Sequence, residues 1–202
     1  GKTALAKEIV RAFMDAGGPA MSPKDRRAFW TVIGGEHFDD ALFKRLGGDV
    51  GLLDYDEAFD TSAETYFERA ERWMDLHADD DRPKIEVLDS LAALASKHEL
   101  EVPMDKESMA RAKVISRGFR RIAGPMSRSL TTLLFINQIR DRTGVFFGSP
   151  EFRPGGHGPE FFTMVRLRLS QGTLSRGKRA LIKTNGVVTG QRIVVKVDKC
   201  RT

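Results

Sequence analysis

The feature that most constrains the fold is an alternation. Short apolar runs at 28–33 (AFWTVI), 50–54, 85–88 (IEVL) and 130–136 (LTTLLFI) are separated by amphipathic stretches long enough to be helices. Apolar runs of four to eight residues read as strands, and apolar residues recurring every three to four read as one face of a helix. Residues 3–16 fit a helix with Leu5, Ile9 and Phe13 on its inner face, ended by Gly17-Gly18-Pro19. A short helix over 38–46 is closed by Gly47-Gly48. The pattern Thr61-x-x-Glu64 predicts a capping box. It opens a helix to about residue 76, with Ala63, Phe67, Ala70 and Met74 on one stripe. Residues 105–123 fit a helix with Met109, Ala112, Phe119 and Ile122 inward and Arg111, Arg117, Arg120 and Arg121 mostly outward. Strands alternating with helices predict an α/β fold around a mostly parallel sheet. Runs 164–169 and 193–197 have no long helix between them, which predicts an antiparallel edge. Residues 140–159, rich in Gly and Pro, read as a long exposed loop.

Composition narrows the class. A chain of 202 residues suits one domain, and 41% hydrophobic residues exclude a disordered tail. Cys200 is the single cysteine, so no disulfide scaffold is possible. No apolar run approaches the ~20 residues that span a bilayer. The expectation is a soluble protein of a reducing, cytoplasmic compartment, without membrane contact. The net charge of +5 hides a division: residues 1–105 hold 13 basic and 23 acidic side chains, residues 106–202 hold 20 and 5. A half at +15 fits a polyanion surface, most simply nucleic acid. It equally fits a basic face paired with the acidic half, within one molecule or between copies stacked head to tail. The four histidines, 37, 77, 98 and 157, lack metal-ligand spacing, and the basic run 176–183 (RGKRALIK) reads as an exposed hairpin face, with a further DNA surface as the alternative.

Gly1-Lys2-Thr3 at the opening of the first helix matches the end of the phosphate-binding motif G-x-x-x-x-G-K-[ST]. That chemistry uses a helix N-terminus and backbone N–H groups to hold phosphate, a lysine to reach the β and γ oxygens, and a hydroxyl for Mg²⁺. The rest of the motif and the strand before it are absent from the sequence, which reads as a start inside a domain. Residues 85–90 add an apolar strand ending in Asp89, where α/β sheets bind ligands. Asp89 there suits the Mg²⁺ shell, with Thr3 ligating the metal; a helix-capping role is the alternative. Glu36, just after a strand, suits the activation of a water, or is a surface acid at a turn. Gln138, after the run 130–136, suits sensing of the γ-phosphate, or is a polar strand end.

Asn137-Gln138-Ile139-Arg140, the stretch 144–151 (GVFFGSPE) and Gly155-Gly156 together resemble the second DNA-binding loop of the RecA family of strand-exchange recombinases. Gly35-Glu36-His37 and the stretch 88–94 (LDSLAAL) resemble that family's catalytic glutamate segment and Walker B strand, and the likeness extends over residues 1–202. Stretches 94–97, 109–113 and 197–202 are similar to phage-encoded relatives. The resemblance implies a RecA-like P-loop ATPase core over 1–202, apparently truncated at both ends, lacking an N-terminal segment and a C-terminal domain. It implies ATP and Mg²⁺ as cofactors, a head-to-tail helical filament on single-stranded DNA, and homology search and strand exchange with double-stranded DNA in DNA repair.

Residue by residue, the resemblance makes Gly1, Lys2 and Thr3 the phosphate loop and Asp89 the Walker B acid. It makes Glu36 the water-activating carboxylate and Gln138 the γ-phosphate sensor. Phe43 falls where an aromatic ring stacks near adenine. Lys199 and Arg201 match cations that reach the γ-phosphate of the adjacent subunit. DNA contacts carry over to Arg111, Lys113, Arg120, Arg140, Arg142, Thr143, Val145, Phe146, Gly155, Gly156 and His157. The sequence departs from the pattern at Thr143, where bacterial members carry a bulky aliphatic wedge, at Glu160, where they carry lysine, and in an insertion near 18–27. A ring helicase or translocase with the same fold, and a non-catalytic DNA-binding paralogue, are the alternative readings.

Overall fold

The computed structural model describes residues 1–16, 27–33, 37–58, 61–101, 110–141, 151–173 and 180–201. In chain order its elements are α1 (Lys2–Asp15), β1 (Arg27–Ile33), α2 (Asp40–Arg45), β2 (Leu53–Ala58), α3 (Ala63–Leu76), β3 (Lys84–Asp89), α4 (Lys97–Glu101), α5 (Ala110–Arg128), β4 (Thr131–Phe135), β5 (Arg140–Asp141), β6 (Glu151–Phe152), α6 (Gly158–Phe162), β7 (Val165–Gln171), β8 (Leu181–Thr184), β9 (Val187–Gln191) and β10 (Ile193–Cys200). They fall into two compact units, residues 3–162 and residues 1–2 with 163–202.

In the larger unit β2, β1, β3 and β4 form a four-stranded sheet in that order, every pair parallel. This is the α/β architecture expected. Parallel strands joined by crossover helices are covered on both faces, and β3 is buried along its whole length. Alternate side chains separate two apolar clusters. Trp30, Val32, Ile85 and Val87 meet Ala6, Val10 and Met14 of α1, together with Phe38 and Phe43. On the opposite face Leu88 meets Phe67, Ala70 and Met74 of α3 and Ile115, Phe119 and Ile122 of α5.

Four local expectations are corrected. Helix α1 buries Ala6, Val10 and Met14, one residue on from the stripe Leu5, Ile9 and Phe13, which is only half-buried. Both stripes are apolar, and Ile9 and Phe13 of the second pack against the margin of the same core cluster. Residues 50–52 form a 3-10 turn capped by Asp49, so the strand begins at Leu53. Helix α3 is capped by Ser62 rather than Thr61; its Oγ accepts from Thr65 N at 3.1 Å. Glu64 does not complete a capping box, because its carboxylate accepts from Lys97 N at the start of α4. Helix α5 runs on through Pro125 to Arg128. The predicted start of that helix, with Met109, lies outside the described residues, as do Gly17-Gly18-Pro19 and residues 18–26 of the insertion.

The α3–α5 contact depends on Gly118. A β-carbon there would clash with the ring of Phe67. That ring is buried and packed edge-on against Tyr66 and Phe119, at centroid distances of 5.1 and 5.4 Å, so it has no room to yield. Gly118→Ala is expected to lower stability by about 2 kcal/mol despite alanine's better helix propensity. A denaturant midpoint equal to wild type would show that the two helices do not meet at this point.

Three charged side chains, Lys84, Glu86 and Asp89, are buried in β3. Lys84 Nζ donates to the carbonyls of Asp80, Arg82 and Ser129 at 2.6, 2.7 and 2.9 Å, which replaces its hydration shell. Glu86 Oε1 accepts from the Tyr66 hydroxyl at 2.8 Å, whereas Oε2 has no hydrogen-bond partner among the described residues.

In the smaller unit β7 pairs antiparallel with β10, with a bulge between Val197 and Lys199. Strands β8 and β9 form a hairpin turned by Asn185 and Gly186, both at positive φ (52° and 80°). That backbone twist matches paired strands, and Asn-Gly adopts it at low cost. The antiparallel pairing of the later strands and the exposed hairpin near residue 181 are as the sequence predicts, but these strands form sheets of their own and not an edge of the four-stranded sheet; residues 176–179 of the basic run lie outside the described residues.

Candidate nucleotide and DNA site

The four parallel strands end on one edge of the sheet, at Ile33, Ala58, Asp89 and Phe135. Ligands of open α/β sheets bind beyond such an edge. Asp89 is the last residue of β3 and is 2% exposed. The peptide that joins it to Ser90 is cis. The segment after it is tied to β4: Leu91 N donates to Ile136 O, and Ile136 N donates to Leu88 O, both at 2.9 Å. Thr3, half-buried, stands in the first turn of α1, and Lys2, at the start of that helix, is exposed.

Lys7, one turn on from Thr3, is buried. Its Nζ donates to Asp39 O at 2.6 Å and lies 4.4 Å from the centroid of the Phe38 ring. Burial lowers its pKa, and the nearby carboxylates of Asp39, Asp40 and Asp89 oppose that shift. The first turns of α1 therefore approach the Asp89 end of β3. No cluster of three His, Cys, Asp or Glu exists among the described residues. Mg²⁺ on a nucleotide needs no such cage, because it takes one or two protein oxygens and completes its shell with phosphate and water. The Thr3 hydroxyl and the Asp89 carboxylate fit that donor set.

Glu36 lies outside the described residues, but the residues after it are held. Glu57, near the end of β2, accepts from His37 Nδ1 through Oε2 and from Phe38 N through Oε1, both at 3.0 Å. These bonds, the backbone one foremost, hold the Glu57 carboxyl below its ordinary pKa. Glu57 was not singled out by sequence reasoning, since nothing local distinguishes it from its acidic neighbours; only the parallel pairing of β1 with β2 brings it to His37.

Phe43 is a correction. Its ring is fully buried, edge-on to Phe38 at 5.7 Å, and a β-carbon at Gly48 would sit 2.5 Å from it. The ring belongs to the apolar core under α2 and presents no face to an adenine.

Gln138 is half-buried just past β4. Its N–H donates to Asn137 Oδ1 at 2.9 Å, while Asn137 Nδ2 donates to Pro154 O at 3.0 Å. One asparagine thus joins the strand end to the return of the loop. The loop is rooted in a two-residue ladder, Arg140 with Phe152 and Asp141 with Glu151. Arg140 is exposed there, and Arg142, Thr143, Val145 and Phe146 lie outside the described residues.

Gly155 and Gly156 are packed against α5. Gly155 is buried, and both adopt positive φ, at 95° and 68°. An added β-carbon would meet Pro159 at 3.1 Å and Ile115 at 3.5 Å from Gly155, and Ala112 at 3.0 Å from Gly156. The glycines let the returning loop lie directly on α5. His157, just beyond, is fully exposed, and Glu160 forms an ion pair with Arg153 at 2.6 Å within its own subunit.

Helix α5 sorts its cations into two sets. Arg121 and Arg128 pair with Glu71 and Asp75 of α3, and Arg111 lies 3.8 Å from Glu99. Lys113, Arg117 and Arg120 are exposed and make no ion pair among the described residues. They recur at helical spacing, so three unneutralised cations line about 10 Å of one face. Arg117 is a candidate that the resemblance did not supply; its position four residues after Lys113 and three before Arg120 was the signal for it.

In the smaller unit Lys199 follows the β10 bulge, is half-buried and stands opposite Arg166, while Arg201 is exposed. Asp198, at the bulge, lies 4.0, 3.8 and 3.7 Å from Arg166, Arg168 and Lys196, so one carboxylate faces three cations.

A parallel sheet with α1 and the Asp89 strand meeting at its C-terminal edge, followed by antiparallel strands, defines an α/β core of the RecA-like type. The family model for the RecA N-terminal domain matches residues 1–202, and the chain belongs to the RecA family. It is 36% identical to Protein RecA of Staphylococcus aureus, 34% to that of Aquifex pyrophilus and 33% to that of Mycoplasma mobile, each over 98% of its residues. It spans about half the length of these relatives, 51%, 51% and 54%.

Proposed function

We propose that this chain is the ATPase core of a recombinase that assembles head to tail on single-stranded DNA and exchanges strands with a homologous duplex. The observation that carries this reading is the pairing of residues 136–141 with residues 151–158. One segment leaves the sheet edge beside Asp89, passes Gln138, is pinned by Asn137 to Pro154, and returns onto the helix bearing Lys113, Arg117 and Arg120. A change at the phosphate end has a short covalent and hydrogen-bonded route to a cationic surface.

In this reading Gly1, Lys2 and the start of α1 would hold the triphosphate, and Thr3 and Asp89 would hold Mg²⁺, which would supply positive charge against the phosphates. Glu36 orients and deprotonates the attacking water. Gln138 contacts the γ-phosphate, and Lys199 and Arg201 reach the γ-phosphate of the neighbouring subunit. Lys113, Arg117, Arg120 and Arg140, with Arg142 and the loop residues Thr143, Val145, Phe146 and His157, meet the DNA. Cations on phosphates read no base sequence, which suits a protein that acts on any sequence. The cell compartment in this reading is the cytoplasm; no helix among the described residues is long and apolar enough to cross a membrane.

The test is ATP turnover by the full-length chain with and without single-stranded DNA, with electron microscopy of the complex in a non-hydrolysable ATP analogue. DNA is expected to raise turnover at least tenfold, and open helices are expected on the grid. Closed rings would instead establish a translocase, and DNA binding without turnover a non-catalytic paralogue.

A further inference from the structure

The bulge in β10 decides which way the end of that strand faces. Along the β7–β10 ladder Lys196 stands opposite Arg168, Val197 opposite Leu167, Lys199 opposite Arg166 and Cys200 opposite Val165. Residues directly opposite share a face of a sheet, and successive residues alternate between faces. In an unbroken strand Lys196 and Lys199, three apart, would point to opposite faces. Asp198 is the extra residue of the bulge, and it shifts the parity by one. Lys199 therefore joins Lys196, Arg166 and Arg168. Arg201, two residues on, is still tied to β7, its N–H donating to Met164 O at 3.0 Å, and follows Lys199 onto that face.

We infer that Asp198 is a positioning residue for Lys199 and Arg201, whose carboxylate holds β10 in the bulged register and so sets the face from which both cations project. The bulged register places two like-charged pairs directly across the ladder, Lys196 with Arg168 and Lys199 with Arg166. Like charges so placed are destabilising. Asp198 lies between the two pairs, with its side chain 12% exposed, 4.0 Å from Arg166, 3.8 Å from Arg168 and 3.7 Å from Lys196. These distances are too long for hydrogen bonds, so charge carries the attraction. The alternative is an unbroken ladder with residue 198 opposite Arg166 and Lys199 opposite Val165. That slip of one residue relieves the Lys199–Arg166 pair and turns every later side chain to the other face. Lys199 and Arg201 would then project with Val165 and Leu167, and Cys200 would move to the cationic face.

Asp198 acts on turnover only if Lys199 is the trans-acting cation proposed above, so Lys199→Ala is measured beside Asp198→Asn and Asp198→Glu. The full-length chain is assayed for DNA-stimulated ATP turnover, nucleotide affinity, thermal midpoint and the rate at which Cys200, exposed in the wild type, is alkylated. Asparagine keeps the shape and removes the charge. Asp198→Asn is expected to lower kcat between 10- and 100-fold, with nucleotide affinity within twofold of wild type. It is expected to raise the Cys200 labelling rate at least threefold, because a thiol among cations ionises more readily. Asp198→Glu restores the charge and is expected to return kcat to within about fivefold and labelling to the wild-type rate. Wild-type kcat in Asp198→Asn beside an inactive Lys199→Ala overturns the positioning role alone. A fall in kcat with unchanged Cys200 labelling overturns the register mechanism. Loss of nucleotide affinity together with a lowered thermal midpoint in Asp198→Asn overturns it in favour of a general structural role. Full turnover in Lys199→Ala overturns the trans-acting assignment and the role of Asp198 with it.

Discussion

Lys199→Ala is expected to remove DNA-stimulated ATP turnover while leaving nucleotide binding within about twofold of wild type. Phosphoryl transfer spreads negative charge over the γ oxygens, and a cation supplied by a neighbouring subunit stabilises that charge by a factor on the order of 10³ to 10⁵. Lys199 and Arg201 close the long strand β10, with Arg201 exposed. Nearly the whole chain separates them in sequence from Lys2. In the proposed assembly, a cation that completes the site only when copies stack would make hydrolysis conditional on assembly. The loss is therefore expected at about 10³-fold in steady-state turnover with single-stranded DNA. Binding of a fluorescent nucleotide analogue and the thermal midpoint serve as controls. Turnover equal to wild type would remove the trans-acting role and with it the reason for hydrolysis to depend on a filament.

The second large effect concerns stability. Glu86→Gln is expected to stabilise the fold by about 3 kcal/mol at pH 8 and by little at pH 4. Glu86 is fully buried on β3, and burial pushes its pKa up to about 7 from an ordinary 4.5, against the opposing pull of the Tyr66 hydrogen bond and the Arg69 charge. Below about pH 4.5 the carboxyl is protonated whether the chain is folded or unfolded, and no penalty exists. Between 4.5 and 7 the unfolded chain ionises while the folded one keeps its proton, so stability falls as pH rises, by about 1.4 kcal/mol per unit. Above 7 the penalty is complete. Glutamine accepts from the Tyr66 hydroxyl at the same place and does not titrate. Denaturant unfolding of both proteins at pH 4, 6 and 8 measures the difference; a gap that does not widen with pH would show that the Glu86 carboxylate is solvated.

Much of the architecture was legible because burial leaves a periodic trace. The runs at 28–33, 85–88 and 130–136 became β1, β3 and β4, and Asp89 stands at the strand end where its pattern put it. The Asn-Gln-Ile-Arg stretch did lead from a strand into a loop. Misreadings cluster where two neighbouring residues carry equal local signals. Thr61 and Ser62 are both competent caps, and the choice is made by the bridge between Ser62 and Ala95. Phe43 had the chemistry of an adenine platform, but α2 turns it into the core against Phe38.

By itself the sequence determined that this is a parallel α/β core of the RecA family, with a divided charge and its polar motifs at strand ends, because hydrophobic period and motif spacing are properties of the chain alone. Tertiary structure decided which cations remain unneutralised on α5, that Gly155 and Gly156 serve the contact with that helix, and that Glu57 grips the residues beside Glu36. Each of these is a relation between segments distant in sequence, and such relations take effect only when the sheet fixes which strands are neighbours and at what height.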